Sequence, residues 1–227
     1  MKSENRTIKA CIFDLDGVIV DTAKYHYLAW RSLANGLGFD FTEKENEKLK
    51  GVSRMDSLNL ILEWGGMNFS ENIKSQLASK KNENYLSYIQ KMNEKEILPG
   101  VVPFLNELKK LGVKIALGSA SKNAVTILKQ VKLTHYFDSI IDGTKVVNGK
   151  PHPEGFLLAA SELGVHPEEC IVFEDAPKGV EAALNAEMFA VGIGSEEDLG
   201  AAHIVFSDFD KKNFKVIEEK LLSLALR

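Results

Sequence analysis

Cysteine is scarce in this chain of 227 residues: Cys11 and Cys170 are its two thiols, each inside an apolar run. No Cys-x-x-Cys pair and no Cys/His cluster accompanies them, so a cysteine-based metal site is excluded. Both read as small buried hydrophobes. No apolar stretch approaches the roughly 20 residues of a membrane span, and no membrane partner is expected. Positive charge is not in excess. The net charge is −4, which leaves a nucleic-acid partner without an electrostatic footprint. Met1 to Thr7 is polar and lacks the apolar centre of a signal peptide, so it reads as a loose lead-in to a cytoplasmic protein. Internal repeats and low-complexity segments are also absent. What remains is 44% apolar and 26% charged, enough core for one large domain or two smaller ones.

From residue 97 onward, apolar runs alternate with helical periodicities. Val113 to Leu117, Ser139 to Ile141, Cys170 to Phe173, Phe189 to Ile193 and His203 to Phe206 read as strands, joining an earlier one at Ala10 to Phe13. Between them, Phe104, Leu105, Leu108 and Leu111 mark one helix, and Ala124, Ile127, Leu128 and Val131 a second. Phe156, Leu157, Ala160 and Leu163 mark a third, and Val180, Ala183 and Leu184 a fourth. Such alternation predicts an α/β fold, a Rossmann-like core whose mainly parallel sheet is flanked by helices on both faces. Residues 22 to 95 differ. Leu28, Ala29, Leu33 and Leu37, then Leu58, Ile61 and Leu62, recur at helical spacing with no strand between them, and Ser53 is placed to cap the second helix. This predicts an inserted all-helical cap, residues 21–96, within a core of residues 1–20 and 97–227. Gly17 to Asp21 and Ile97 to Gly100 are the two linkers.

Chemistry gathers at the strand ends. Asp14 and Asp16 follow the first strand, with Gly17 directly behind them. Ser119 follows the second strand, Lys150 the third, and Glu174-Asp175 the fourth. In a parallel sheet these four blocks converge on one edge, where open α/β sheets place ligands. Carboxylates meeting there repel unless a cation joins them, and an all-oxygen set favours Mg²⁺. Ser119 can donate to a phosphate oxygen, beside the free N–H groups of a helix start. Lys150 offers a point charge to a phosphoryl group.

In this order the motifs resemble the haloacid dehalogenase-like phosphotransferase superfamily, over nearly the whole chain. The resemblance implies that Asp14 is a nucleophile forming an aspartyl-phosphate and Asp16 a general acid/base. It implies Mg²⁺ held by Asp14, the Asp16 backbone carbonyl and the Glu174-Asp175 pair, chiefly Asp175. The segments Asp21 to His26, Leu28-Ala29-Trp30, Leu49 to Leu58, Lys80 to Tyr85 and Gly118 to Asn123 narrow it to one branch. That branch interconverts β-glucose 1-phosphate and glucose 6-phosphate through β-glucose 1,6-bisphosphate, and the likeness implies a monomer. It further implies that Thr22 and His26 position Asp16 and couple it to cap closure, and that Lys81 contacts sugar hydroxyls. Trp30, Gly51, Val52, Ser53, Ser57, Ala120, Ser121 and Asn123 complete the implied substrate contacts. The chain departs from many relatives at Ala176, where they carry a hydroxyl residue.

A physical argument supports a mutase. A bisphosphate has two dianionic ends, and the one away from the metal needs its own cation. Arg54 can grip it bidentately. A monophosphate phosphatase needs no such group, and a sugar-phosphate phosphatase is the competing reading. A non-catalytic sensor is disfavoured because every core catalytic position is filled.

Overall fold

Six apolar segments pair side by side, and every pairing is parallel. The computed structural model describes residues 7–224; the polar lead-in expected at Met1 to Thr7 lies outside them except for its last residue. In chain order the elements are β1 (Ala10–Phe13), α1 (Ala23–Gly36), α2 (Glu43–Glu47), α3 (Arg54–Trp64), α4 (Glu71–Ile89), α5 (Val101–Leu111), β2 (Lys114–Gly118), α6 (Ala124–Gln130), β3 (Ser139–Ile141), α7 (Glu154–Leu163), β4 (Cys170–Glu174), α8 (Pro177–Asn185), β5 (Phe189–Ile193), α9 (Glu196–Leu199), β6 (Ile204–Phe206) and α10 (Phe214–Leu224). The sheet order is β3-β2-β1-β4-β5-β6. β1 lies centrally, pairing Phe13 with Leu117 on one side and with Phe173 on the other. All strand C-terminal ends therefore share one edge. Among the described residues no helix is long and apolar enough to cross a membrane.

Side chains alternate between the faces of a strand, and the two faces differ in character. Cys11, Phe13, Ile115, Leu117, Ile171 and Phe173 enter one core. Ala10, Ile12, Ala116, Cys170 and Val172 enter the other, where the alanines of α7 and α8 meet them. The first core holds an aromatic knot. Phe104 sits edge-on to Phe173 at 5.4 Å and tilted against Phe209 at 5.1 Å. Truncating so enclosed a ring removes apolar burial and leaves a void, so Phe104→Ala is expected to cost roughly 3–5 kcal/mol. Urea unfolding measures it as a lower midpoint at constant slope, and a shift worth under about 1 kcal/mol would contradict this packing.

Helices α1 to α4 build a third core around Trp30, Leu33, Phe41, Leu58, Ile61 and Leu62. Ser53 caps α3, accepting from the Asp56 N–H at 3.3 Å. The segments flanking this helical group run together. Val20 pairs antiparallel with Ile97, and the Leu98 N–H donates to Ile19 at 3.0 Å.

The helical periodicities count too many residues inward. Leu28, Leu111, Leu157 and Leu184 are each more than a third exposed. Three of them adjoin a buried residue (Ala29, Phe156, Ala183), and neighbours on a helix diverge by about 100°. Two strand ends also move. β4 includes Glu174, and β6 starts after His203, whose ring nitrogen accepts from the Ala190 N–H at 3.1 Å.

Candidate active site

Asp14 leaves β1 with its own N–H bound to the Phe173 carbonyl at 2.9 Å. Its Oδ2 accepts from the Asp16 N–H at 2.9 Å, so the turn folds back on the first carboxylate. Gly17 holds φ +78°, and a Cβ there would strike the Asp175 carboxylate. Glycine at that position lets the β1 and β4 loops touch. Lys150 reaches in from the connection after β3. Its Nζ lies 2.5 Å from Asp14 Oδ1 and also pairs with Glu174 Oε1. Burial opposes the lysine's charge, but those two carboxylates outweigh it and raise its pKa.

Glu174 is buried, and its other oxygen accepts from the Ala176 N–H at 2.9 Å. A backbone donor thus serves this carboxylate at the position where the hydroxyl is missing. Asp175 is pushed up to about 8 by burial and then by Glu174 and Asp14, with Lys50, 3.8 Å away, pulling it back. Four carboxylates, Asp14, Asp16, Glu174 and Asp175, face three lysines, Lys50, Lys81 and Lys150, so carboxylates outnumber cations. Among the described residues no three Asp, Glu, His or Cys side chains form a complete ion site by themselves. The implied set draws on a backbone carbonyl as well, and Glu174 already has both oxygens engaged.

Asp16 faces the helical group. It is pushed up to about 7 by loss of solvent and by Asp14, against the Thr22 hydrogen bond and the charges of Lys150 and Lys81. A carboxyl near neutrality can both give and take a proton. The Thr22 hydroxyl donates to Asp16 Oδ1. Beyond it stand three basic groups. Lys81 Nζ lies 3.1 Å from His26 Nδ1 and 4.3 Å from the Trp30 ring centre. Burial and Arg54 lower Lys81 to about 7, while burial, Lys81 and Arg54 hold His26 well below its usual value. Neutral His26 can then accept from the lysine. Arg54 is half-buried, and among the described residues no carboxylate acts on it.

Ser119 is buried at the end of β2, its Oγ accepting from the Ser121 N–H at 3.1 Å. Ser121 in turn accepts from the Asn123 N–H at 3.2 Å. The Asn123 side chain crosses to Asn82 on α4 at 2.9 Å, and a Cβ added at Gly51 would lie in van der Waals contact with the Ala176 Cβ, at 3.4 Å. These contacts seat the helical group on the sheet edge. Not every implied contact faces the opening. Trp30 is 2% exposed and lies beneath Lys81, so it seats the lysine from behind. Ser57 is buried with its N–H on the Ser53 carbonyl, and Val52 turns on Leu49. Ala120 sits half-buried beside Gly143. Lys50 and Asn82 touch the site although sequence spacing did not single them out; each adjoins a residue that was.

Residues 8–187 match the model of the haloacid dehalogenase-like hydrolases. The chain belongs to that family. Within the haloacid dehalogenase-like hydrolases it is 40% identical over 215 residues to a β-phosphoglucomutase of Bacillus subtilis, covering 94% of this chain and 95% of that one. It is 35% identical over 199 residues to a phosphorylated carbohydrates phosphatase of Thermotoga maritima, covering 86% of each. The crystal structure of β-phosphoglucomutase from Clostridium difficile superposes with a TM-score of 0.94 at 46% identity, over 97% of this chain and 100% of that one.

Proposed function

We propose that this chain is a β-phosphoglucomutase, interconverting β-D-glucose 1-phosphate and glucose 6-phosphate through an aspartyl-phosphate at Asp14 and β-glucose 1,6-bisphosphate. The observation that carries this reading is a second basic cluster near Asp16 and apart from the Asp14–Lys150 pair: Arg54 and Lys81, with neutral His26 bracing the lysine. It supplies the second anion site that a bisphosphate needs. Residues 21–96 then act as a helical cap over a catalytic core of residues 1–20 and 97–227.

Asp14 attacks the phosphorus of one phosphate, and the P–O bond to the sugar breaks. Asp16 gives its proton to the departing sugar oxygen. That monophosphate leaves, and the isomeric monophosphate binds with its own phosphate on Arg54 and its free hydroxyl toward Asp14; the bisphosphate regenerated in the next step turns end for end before Asp14 attacks again. The free hydroxyl then attacks the phosphoryl group on Asp14 while Asp16 takes its proton. Lys150 and the Ser119 hydroxyl offset charge on the phosphoryl oxygens. Excess carboxylate at this edge fits a divalent cation, with Asp14, Asp175 and the Asp16 carbonyl to hold Mg²⁺ and Glu174 fixing Lys150 beside it. Bound there, Mg²⁺ would neutralise charge so that one anion can approach another.

A coupled assay tests this, following glucose 6-phosphate from the β-anomer of glucose 1-phosphate, primed with bisphosphate, in Mg²⁺ and in EDTA. Turnover of the β-anomer alone, lost in EDTA, is the expected result. Phosphate release outpacing isomerisation would assign the chain to the sugar-phosphate phosphatases instead. Arg54→Ala removes the distal cation and should slow isomerisation about a hundredfold, the scale of a lost charged bidentate contact. Isomerisation within threefold of the parent rate would remove Arg54 from that role.

A further inference from the structure

Tyr85 stands on α4 one turn beyond Lys81, and the residue is 1% exposed. Its hydroxyl is one of two buried side-chain polar atoms among the described residues without a hydrogen-bond partner; the other, on Thr134, belongs to the connection before β3. An unpaired buried hydroxyl is costly, and phenylalanine would fill the same space without that cost. The ring is well held. His26 lies against it at 4.3 Å and Lys81 Nζ is 4.7 Å from its centre. Its hydroxyl end is beside Thr22 and in the field of Asp16.

Thr22 is fully buried at the start of α1, and its proton goes to Asp16 Oδ1. A hydroxyl donates once and accepts twice, so Thr22 Oγ1 still has lone pairs to offer. Tyr85 has a donor to give. Burial raises its pKa well above the usual value, which keeps that donor protonated.

We propose that Tyr85 is a positioning residue for the acid/base: as substrate draws α4 fully onto the core, its unpaired hydroxyl donates to Thr22 Oγ1, which already donates to Asp16 Oδ1, tying α4 to the core carboxylate through one hydrogen-bonded chain. This rests on the reading of Asp16 as the proton carrier. Each link polarises the next, so the Thr22–Asp16 bond is strengthened while α4 is seated. When α4 withdraws, the first link goes and Asp16 loses its fixed orientation. Proton transfer is then confined to the seated state, and phospho-Asp14 meets open solvent without an oriented base beside it.

Tyr85→Phe removes the one oxygen and keeps the ring against His26 and Lys81. The expected result is a kcat for isomerisation about tenfold lower, KM within twofold and a thermal midpoint no lower than the parent's. Because Tyr85 acts through Thr22, the double variant with Thr22→Val should be no slower than Thr22→Val alone. Thr22→Ala replaces it if the valine variant fails to fold. A Tyr85→Phe rate within twofold of the parent, or losses that multiply in the double variant, would overturn the proposal. The same cycle is also read as phosphate release from acetyl phosphate, which calls on Asp16 but on no sugar. Parent protein that releases phosphate there yet leaves β-glucose 1-phosphate unchanged overturns the mutase reading, and the Tyr85 cycle is then scored on phosphate release.

Discussion

Asp14→Asn is expected to end phosphoryl transfer while the protein still folds. The backbone bond from Asp14 to Phe173 does not depend on the side chain, and an amide oxygen can still accept from the Asp16 N–H. Lys150 keeps Glu174 as its counter-charge. What is lost is the anionic oxygen proposed to attack phosphorus; Glu174 is held by Lys150 and the Ala176 N–H, and Asp16 is assigned to proton transfer. Removing a nucleophile outright costs on the order of 10⁴–10⁶ in rate. Acid-quenched protein after exposure to acetyl phosphate should carry no acid-stable, base-labile phosphate, and the thermal midpoint should stay near the parent's. Phosphoprotein formed at the parent level would take the nucleophile role from Asp14.

Asp16→Asn should fail differently. Its side chain receives the Thr22 hydroxyl and lies in the fields of Lys150 and Lys81. An asparagine keeps that hydrogen bond but cannot carry a proton. Losing general acid/base assistance costs about 10²–10⁴ in rate. The deficit should depend on the leaving group. Acetyl phosphate departs without a proton, so Asp14 is still phosphorylated; decay of the phosphoprotein needs a base and stalls. Intact-mass measurement should therefore find phosphoprotein accumulating in Asp16→Asn and absent from Asp14→Asn. An isomerisation rate near the parent's would remove Asp16 from proton transfer.

The two variants separate because the core of the site was readable along the chain. Asp14, Ser119, Lys150 and Glu174 each end or follow an apolar run, and a parallel sheet brings such ends together whatever the intervening residues are. The helical part was less readable. Lys80 and Lys81 are adjacent, yet one is exposed and the other buried, because a single helical step turns the side chain by about 100°. Trp30 carries a sugar-binding residue type but is covered by Lys81. The Ala176 amide that serves Glu174 is a backbone group, so no side-chain pattern could point to it. Tyr85 was visible as one residue four places after Lys81; what marks it is an unpaired oxygen, which exists only once α1 and α4 are packed.

Cys11 and Cys170 occupy neighbouring central strands, fully buried, but in opposite cores. A disulfide needs its two Cβ atoms within about 4.5 Å on a common side, so oxidants cannot cross-link this pair while the sheet stands. Neither thiol lies at the seam between the helical group and the sheet edge. An opening confined to that seam would leave both of them unreactive, whereas global unfolding bares them together. The scarce cysteines thus form a built-in reporter that is blind to a parting of the helical group from the sheet and sensitive to collapse of the whole.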